Sequence, residues 1–343
     1  MQEPLHNITK PLLQWFQSNK RALPWRKDRQ PYHVWISEIM LQQTRIEAVK
    51  KYYANFMSAI PDVESLSAVP EDQLLKLWEG LGYYSRARNL KKAAQMIMQE
   101  YNGAFPASYK ELLKLSGVGE YTAGAIASIC FNEKAPAVDG NVLRVMARVL
   151  GCKQNVLLPE TKKDITGKLL QIMPEQAGQF NEALMELGEL ICLPNGAPEC
   201  QKCPIQKSCI AYRDRLTAEI PVRIKKLKRK RADKTVLLLL TDSHKTAIEK
   251  RTEKGLLSGM YQPPNLDGFY SENELKSILK EWQLTPVEIT FLKEAKHAFT
   301  HIDWYMKGYR VKVKEENSRF LWVSAQELSD TYPLPTAFQI FTK

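Results

Sequence analysis

Two carboxyl groups in contrasting surroundings are the residues best suited to acid–base chemistry in this sequence. Glu38 lies within residues 34–41, a segment that is apolar almost all round and is therefore expected to be a largely buried helix. Burial disfavours a charged carboxylate, so we expect a raised pKa and a usable general acid. The residues are equally consistent with a glutamate on a polar strip beside Ser37, Gln42 and Thr44.

The second carboxyl group, Asp139, precedes an apolar helical stripe that includes Val142, Val145, Met146 and Val149. This position predicts a helix N-cap, which needs no catalytic role. The helix dipole also favours the ionised carboxylate there, and an ionised group suits a site that faces a developing cation. One protonated and one ionised carboxyl group is what cleavage of a glycosidic C–N bond requires.

A Gly-x-Gly turn, formed by Gly117, Val118 and Gly119, lies between two helical segments. Its glycines allow consecutive N–H groups to point outward, and the next helix adds its positive end, so the turn can hold a phosphate. Most such turns bind nothing. Here the chain is basic, and an Asp-Gly-Asn sequence follows at Asp139.

The charge of the chain favours a polyanionic partner. Its formal net charge is +11, from 49 Lys and Arg against 38 Asp and Glu, and nucleic acid is the commonest partner of so basic a protein. A basic protein without such a partner is the alternative. No apolar run approaches the ~18 residues that a bilayer span requires, and residues 1–20 lack the apolar core of a secretory signal. We therefore expect an intracellular protein that does not associate with membranes.

Four of the six cysteines are crowded together in the pattern Cys-x7-Cys-x2-Cys-x5-Cys. They are Cys192, Cys200, Cys203 and Cys209. In a reducing compartment such crowding indicates a metal site rather than disulfides, and the spacing accepts either zinc or an iron–sulfur cluster. Cys130 and Cys152 lie apart beside apolar residues and are expected to be small core side chains.

The elements that must position these residues change character along the chain. Up to about residue 193, apolar residues recur at spacings of three and four, which predicts roughly ten helices. Residues 221–231 contain seven Lys or Arg and no acid; we interpret them as a solvated linker that touches phosphates, with a nuclear-localisation patch as the alternative. Beyond it, strands are expected at 235–240, 287–292 and 305–313, and a helix at 272–282.

The predicted fold is therefore multidomain. An all-α catalytic region spans residues 1–220, a basic linker spans 221–232, and a smaller α+β domain spans 233–343.

Four motifs resemble the MutY adenine glycosylases, members of the helix–hairpin–helix superfamily together with endonuclease III. They are residues 35–44, 78–90, 115–119 and 138–141. The resemblance covers nearly the whole chain. It implies a six-helix barrel with the hairpin at about 27–135, an iron–sulfur module from 1–26 with 136–220, and a Nudix-like lesion-recognition domain at 233–343.

The resemblance also implies catalytic roles. Glu38 matches the acid that protonates N7 of adenine, and Asp139 matches the carboxylate that stabilises the oxocarbenium-like sugar. Tyr121 and Asn141 match residues that assist around that sugar. Bifunctional relatives have a lysine at the position of Tyr121, so a monofunctional glycosylase is favoured over a glycosylase-lyase.

Further residues are assigned only through the resemblance. The pocket that receives the flipped adenine corresponds to Trp25, Arg26, Leu41 and Glu182. The side chains that enter the duplex correspond to Gln43 and Tyr83. The lesion-recognition loop corresponds to Phe299, Thr300 and His301, where the family normally has Phe-Ser-His. Without the family, core or surface roles would be the simpler interpretation of these residues.

For the cysteines the resemblance implies a [4Fe–4S] cluster, although the first gap has seven residues where the family usually has six. In the C-terminal part, residues 255–260 match the early Nudix motif. Residues 272–281 lack the paired glutamates that would hold magnesium, so we expect no pyrophosphatase activity.

The expected function is removal of adenine opposite 8-oxoguanine or guanine in double-stranded DNA, by a monomer associated with the nucleoid in a bacterial cytoplasm. An endonuclease III-like glycosylase-lyase acting on oxidised pyrimidines is the nearest alternative. A non-catalytic iron–sulfur DNA-binding protein is an alternative of another class, and it would not need Glu38 and Asp139.

Overall fold

The computed structural model describes residues 3–224, 229–252 and 255–342. The chain forms two compact units: unit 1 comprises Met1–Ala68 and Asn89–Lys225, and unit 2 comprises Val69–Arg88 and Lys226–Lys343. Unit 1 is helical, whereas unit 2 contains a mixed β-sheet. The predicted combination of an all-α part with a C-terminal α+β part is confirmed.

Helices are the main regular elements of unit 1, and further helices flank the sheet of unit 2. In chain order the α-helices are α1 (Glu3–His6), α2 (Thr9–Asn19), α3 (Pro31–Leu41), α4 (Ile46–Ala59), α5 (Val63–Ala68), α6 (Glu71–Leu77), α7 (Ser85–Glu100), α8 (Tyr109–Leu112), α9 (Glu120–Phe131), α10 (Gly140–Val149), α11 (Pro159–Ile172), α12 (Ala177–Leu190), α13 (Ile210–Arg213), α14 (Glu272–Glu281), α15 (Ala325–Asp330) and α16 (Thr336–Thr342). Within the described ranges, none of them combines the length and apolarity that a membrane span requires.

Sequence-level signals explain where the site-bearing helices of unit 1 begin. Pro31 occupies the first turn of α3, where its missing N–H costs nothing, and most residues of α3 are buried, as its apolar sequence predicted. The side chain of Asp139 caps α10, as predicted, by accepting a hydrogen bond from the backbone N–H of Val142 at 2.7 Å. Side chains of α2, α10, α11 and α12 pack into one hydrophobic core, which fixes α10 and α12 against each other.

The predicted hairpin turn lies immediately before α9. Gly117 has a φ of +73°, and a Cβ atom there would lie 2.6 Å from Cβ of Asn89, so glycine is required on both counts. Val118 is buried and anchors the turn, while Gly119 is the N-cap residue of α9.

A seven-stranded mixed sheet forms the centre of unit 2. Its strands are β1 (Lys230–Leu240), β2 (Thr246–Lys250), β3 (Tyr261–Gln262), β4 (Asn265–Asp267), β5 (Pro286–Ala298), β6 (Ile302–Val313) and β7 (Leu321–Val323). The order is β3-β2-β1-β6-β5, with β4 paired to β1 and β7 paired to β2. β1 runs parallel to β6, and β5 runs antiparallel to β6.

The alternation of side chains along β1 builds a hydrophobic core on each face of the sheet. Leu237 and Leu239 face one core with Leu275 of α14. Val236 and Leu238 face the other core with Phe338 of α16. The continuous apolar run of β1 is therefore explained by burial on both faces.

The strands extend beyond the predicted ranges. β1 begins at Lys230 rather than at residue 235, because its polar first residues pair in register with β6 from Lys230 opposite Ile302. It thus begins inside the stretch predicted to be a linker, of which residues 225–228 lie outside the described residues. β5 covers Pro286–Ala298 and β6 begins at Ile302, so both strands continue to the predicted recognition loop.

Residues 69–88 were expected to be part of the helical region, but their contacts place them in unit 2. The carboxylate of Asp72 accepts a hydrogen bond from Nζ of Lys250 at 2.6 Å. Glu79 accepts one from Nε2 of Gln339 at 2.8 Å. Polar contacts between residues so far apart in sequence leave no periodic signal, which is why the grouping was not predicted.

Candidate active site

A large open cleft in unit 1 brings together the residues predicted to act on the sugar and the base. It is lined by side chains from α3, α9, α10 and α12 and from the turn Pro24–Arg26. The predicted residues on its wall are Trp25, Arg26, Glu38, Leu41, Gln43, Tyr121, Asp139, Asn141 and Glu182. All of them belong to unit 1, so the cleft is complete within that unit.

Glu38 is the buried acid of this cleft, with 7% of the residue exposed. Burial raises its pKa to about 7, and the negative charges of Asp139 and Glu182 act in the same direction. A hydrogen bond from the phenol of Tyr121 to Oε2 of Glu38 opposes this shift, as does the positive charge of Arg26. Glu38 therefore changes its protonation near neutral pH, where a general acid is most effective.

Tyr121 itself stays protonated. Burial, followed by the charges of Glu38 and Asp139, holds the pKa of the phenol well above its usual range. The hydroxyl therefore acts as a donor to Glu38, a contact that the sequence did not predict.

Asp139 lies at the N-terminus of α10, and its carboxylate accepts two side-chain-orienting hydrogen bonds. Oδ1 accepts from the N–H of Val142, and Oδ2 accepts from Nδ2 of Asn141 at 3.0 Å. The helix end acts in the expected direction, because the backbone hydrogen bond from Val142 favours the carboxylate, but burial has the larger effect on the pKa. Burial raises the pKa of Asp139 above its ordinary value, and these hydrogen bonds together with the charge of Arg144 offset only part of the shift.

Asn141 connects Asp139 to residues that the sequence analysis did not identify. Its Nδ2 also donates to Glu189 at 3.1 Å, and its Oδ1 accepts from Nη2 of Arg144 at 2.8 Å. Gly188 allows this close packing, since a Cβ atom there would lie 2.6 Å from Cβ of Asn141. The amide of Asn141 is thus fixed on both its donor and its acceptor side.

A partly buried network of arginines and glutamates forms another part of the cleft wall. Nε of Arg26 donates to Oε1 of Glu182 at 2.9 Å, and Nη2 of Arg26 donates to Oε2 of Glu186 at 3.1 Å. Glu186 also accepts from Nε and Nη2 of Arg21 at 2.8 and 3.0 Å. Sequence reasoning missed Arg21 and Glu186. The recurrence of glutamates at helical spacing along α12 could have indicated the second of them.

Trp25 and Leu41 contribute apolar surface to the cleft. Trp25 is buried, with 6% exposed, and packs edge-on against Tyr53 with ring centroids 5.4 Å apart. Leu41 is the last residue of α3 and lines the same cleft. Flat and aliphatic walls of this kind suit a planar base.

The two residues expected to enter the duplex share an uncommon backbone conformation. Gln43 has a φ of 62° and Tyr83 a φ of 46°, values that few non-glycine residues adopt. Gln43 follows α3 in unit 1 and lines the cleft. Tyr83 belongs to unit 2, where half of its surface (51%) is exposed. Such conformations occur often at ligand-contacting sites, as the predicted roles would require.

The predicted recognition loop connects β5 to β6 in unit 2. Phe299 is held edge-on between His297 and Trp304, with ring centroids 4.6 and 4.8 Å away. The hydroxyl of Thr300 is exposed and lies 3.0 Å from the hydroxyl of Tyr83. His301 is exposed as well, and its carbonyl accepts from the backbone N–H of Lys230 at 2.9 Å.

The four predicted metal ligands line one apolar cavity in unit 1: Cys192, Cys200, Cys203 and Cys209. Sγ of Cys192 accepts a hydrogen bond from Nη1 of Arg148 at 3.2 Å. In the described part of the chain, no three or more His, Cys, Asp or Glu residues are grouped closely enough to hold a single metal ion. The donor set and the shared cavity fit a group held by four thiolates.

Two family models match this chain. Residues 36–175 match the model described as HhH-GPD superfamily base excision DNA repair protein, and residues 235–343 match the NUDIX domain model. Among solved structures, a thermostable thymine-DNA glycosylase is 31% identical with a TM-score of 0.57, covering 62% of this chain and 98% of that chain. A non-covalent endonuclease III–DNA complex is 25% identical with a TM-score of 0.53, covering 63% and 98%.

Curated relatives extend over most of the chain. The adenine DNA glycosylase of Buchnera aphidicola subsp. Baizongia pistaciae (strain Bp) is 35% identical over 320 residues, which are 91% of this chain and 89% of that protein. The adenine DNA glycosylase of Mus musculus is 41% identical over 211 residues, which are 59% of this chain and 41% of that protein.

The helical unit, its hairpin and its cleft with two carboxyl groups define a base-excision DNA repair glycosylase of the HhH-GPD superfamily. Within that class, the chain belongs to the adenine DNA glycosylase family. The predicted resemblance, the fold class and the assignment as an N-glycosylase are confirmed. The endonuclease III-like alternative is less well supported.

Proposed function

We propose that this chain removes adenine mispaired with 8-oxoguanine or guanine from duplex DNA, as a monomer, and leaves an abasic site. One observation carries the proposal: an acid with a pKa near neutrality, Glu38, and a second carboxyl group, Asp139, line one cleft wide enough to receive a base. The curated relatives that match most of the chain are adenine DNA glycosylases, which supports adenine as the substrate.

Glu38 supplies the proton for departure of the base. Adenine is a poor leaving group as an anion, and a proton donated to N7 lets the base take the C–N bonding electrons and leave neutral. Burial raises the pKa of Glu38 to about 7, so a large fraction of the enzyme carries this proton at neutral pH. The hydrogen bond donated by Tyr121 is accepted by Oε2, which leaves Oε1 as the oxygen that carries the proton.

Asp139 stabilises the positive charge that develops on the sugar as the bond breaks. Its carboxylate is oriented by the N–H of Val142 and by Asn141, so no reorganisation is needed when charge develops. Water then adds to the anomeric carbon, and the proton it loses replaces the one that Glu38 donated, so the net reaction is a hydrolysis.

We propose that the enzyme is monofunctional because position 121 carries a phenol. Strand cleavage by relatives of this superfamily needs an amine that forms a Schiff base with the sugar. The phenol of Tyr121 stays protonated and donates to Glu38, so it can neither form that adduct nor act as a nucleophile.

Selection of adenine falls to the arginine–glutamate network of the cleft. Adenine differs from a bare purine by its exocyclic amino group, which donates hydrogen bonds. The carboxylate of Glu182, paired with Arg26, is an acceptor on the cleft wall that suits this group. Trp25 and Leu41 provide apolar surface for the faces of the base.

Double-stranded DNA is the proposed partner, and the oxidised guanine would be read by unit 2. The net charge of +11 favours a polyanion, and a solved structure similar to this chain is an endonuclease III–DNA complex. In unit 2, Tyr83 offers an exposed aromatic ring, and the adjacent hydroxyl of Thr300 can donate or accept a hydrogen bond at the edge of a base.

We further propose that Cys192, Cys200, Cys203 and Cys209 hold a [4Fe–4S] cluster. Bound to four thiolates around the cavity, the cluster would cross-link residues 192–209 and contribute to folding of this part of unit 1. A zinc ion is the alternative for the same donor set.

The experiment that tests this function is base release from matched duplexes. Duplexes containing adenine opposite 8-oxoguanine, guanine or thymine are incubated with the protein, and abasic sites are revealed by alkaline cleavage. We expect release opposite 8-oxoguanine and guanine and none opposite thymine. Release of an oxidised pyrimidine instead of adenine would support the endonuclease III-like alternative, and no release from any duplex would support a non-catalytic DNA-binding protein.

A further inference from the structure

Three glutamates lie on the face of α12 that lines the cleft. Glu182, Glu186 and Glu189 are spaced by four and three residues, which places them on one side of a helix. Glu189 contacts the catalytic Asn141, and Glu182 contacts Arg26 of the base pocket. Glu186 lies between them and has no assigned role.

Glu186 is the most deeply buried of the three, with 1% of its side chain exposed. Its carboxylate accepts hydrogen bonds from the backbone N–H of Arg21 at 2.9 Å and from Nε and Nη2 of the same residue. It also accepts from Nη2 of Arg26. Removing these charged groups from water costs free energy, and apolar residues in their place often give a protein of equal stability. A contribution to stability is therefore a weak explanation for the presence of the network.

The geometry of Arg26 indicates what this network achieves. Its guanidinium is held in three directions: by Glu182 at Nε, by the carbonyl of Arg21 at Nη1 (3.2 Å), and by Glu186 at Nη2. The ring of Phe16 lies alongside, 5.4 Å from the guanidinium carbon. A planar cation fixed in this way leaves its partner carboxylate, Glu182, with one favoured orientation.

We propose that Glu186 is a positioning residue for base selection, which holds Arg26 so that Arg26 orients the carboxylate of Glu182 towards the amino group of the extruded adenine. The inference rests on the proposed function and extends it to a residue that need not touch the base. Arg26 also opposes the effect of burial, which raises the pKa of Glu182, so its position helps to keep that acceptor ionised.

The test compares two bases under single-turnover conditions. Duplexes carry either adenine or unsubstituted purine opposite 8-oxoguanine, and release of each base is measured for the wild type, Glu186→Gln, Arg26→Lys and the double variant. The amide introduced by Glu186→Gln would present N–H groups to the arginines and could not hold both. Because hydrogen bonds to charged groups are strong, we expect the adenine-to-purine rate ratio to fall about tenfold to a hundredfold in each single variant.

The double variant separates positioning from a purely structural role. If Glu186 acts through Arg26, the ratio in the double variant equals that of Arg26→Lys alone, whereas independent losses would multiply. Glu175→Gln, which removes a surface carboxylate paired with Lys134, is the matched control and should keep the wild-type ratio. If Glu186→Gln does not fold, Glu186→Asp takes its place, because its shorter side chain keeps the charge but cannot reach both arginines.

Two results would overturn the proposal: a wild-type ratio in folded Glu186→Gln while Arg26→Lys loses it, or losses that multiply in the double variant. Failure of the proposed function would look different, since the wild type would then release neither base.

Discussion

The phenol of Tyr121 donates a hydrogen bond to Oε2 of Glu38, so a residue of α9 influences the protonation of a residue of α3. Burial raises the pKa of Glu38, and this hydrogen bond lowers it. These two effects, together with the charges of Asp139, Glu182 and Arg26, place the pKa at about 7. The acid is therefore tuned by a neighbour that the sequence analysis assigned to the sugar.

Removing the hydroxyl in Tyr121→Phe should shift the pH dependence of base release to higher pH. The wild-type rate should fall above about pH 7, because only protonated Glu38 can donate. Without the phenol, the effect of burial is less opposed, so the pKa of Glu38 rises. The decrease in rate, which forms the falling limb of the pH–rate profile, then occurs at higher pH. Single-turnover rates across the pH range measure this limb.

Two further variants control that experiment. Tyr101→Phe removes an analogous tyrosine–carboxylate hydrogen bond, to Glu111, outside the cleft and should leave the profile unchanged. Glu38→Gln should abolish release at every pH, because an amide cannot supply the proton. If the falling limb of the pH–rate profile of Tyr121→Phe stays in place or shifts to lower pH, the hydrogen bond from Tyr121 does not lower the pKa of Glu38.

The wild-type protein should leave the DNA strand intact. Tyr121 cannot form a Schiff base with the sugar, so an abasic strand should accumulate and break only after base or heat is added. Borohydride added during the reaction should trap no stoichiometric enzyme–DNA adduct. A covalent adduct on a denaturing gel would show that an amine acts as the nucleophile.

Thr300→Val should reduce discrimination between adenine opposite 8-oxoguanine and adenine opposite guanine. The change keeps the shape of the side chain but removes the hydroxyl that lies 3.0 Å from that of Tyr83. One lost hydrogen bond between neutral groups is worth roughly 0.5–1.5 kcal/mol. The ratio of the two single-turnover rates at fixed salt measures it, and Thr290→Val on the same sheet is the control. Unchanged discrimination would place lesion reading outside this loop.

The purified protein should be yellow-brown and contain about four iron atoms per chain. Cys200→Ser should lower iron content and soluble yield, because a closed metal site contributes to folding. Cys152→Ser, outside the four-cysteine set, should retain iron. Elemental analysis that finds one zinc per chain and no iron would contradict the cluster.

The sequence carried enough information to locate the two carboxyl groups. Burial of Glu38 follows from the apolar residues around it, and the N-cap position of Asp139 follows from the stripe behind it. Both signals are local and depend on the periodicity of one helix. Part of each long strand was also predicted from local sequence: 235–240 of β1, 287–292 of β5 and 305–313 of β6.

What could not be predicted depends on residues distant in sequence. Arg21 and Glu186 are 165 positions apart, and nothing local to either one indicates their pairing. The grouping of residues 69–88 with unit 2 depends likewise on scattered polar contacts. The direction of the pKa shift at Asp139 depends on how deeply its carboxyl group is buried. The sequence indicates the helix end, which favours the carboxylate, but it does not indicate the depth of burial, which has the larger effect.

Adenine release by Asp139→Asn tests the central claim most directly. Asparagine keeps the size of the side chain and can still cap α10, but it cannot oppose the positive charge that develops on the sugar. Single-turnover release from a duplex with adenine opposite 8-oxoguanine should fall by about a hundredfold or more while DNA binding is retained. Asp164→Asn, a surface carboxylate paired with Lys168, should behave as the wild type. Undiminished release by Asp139→Asn, with tight DNA binding, would contradict the account.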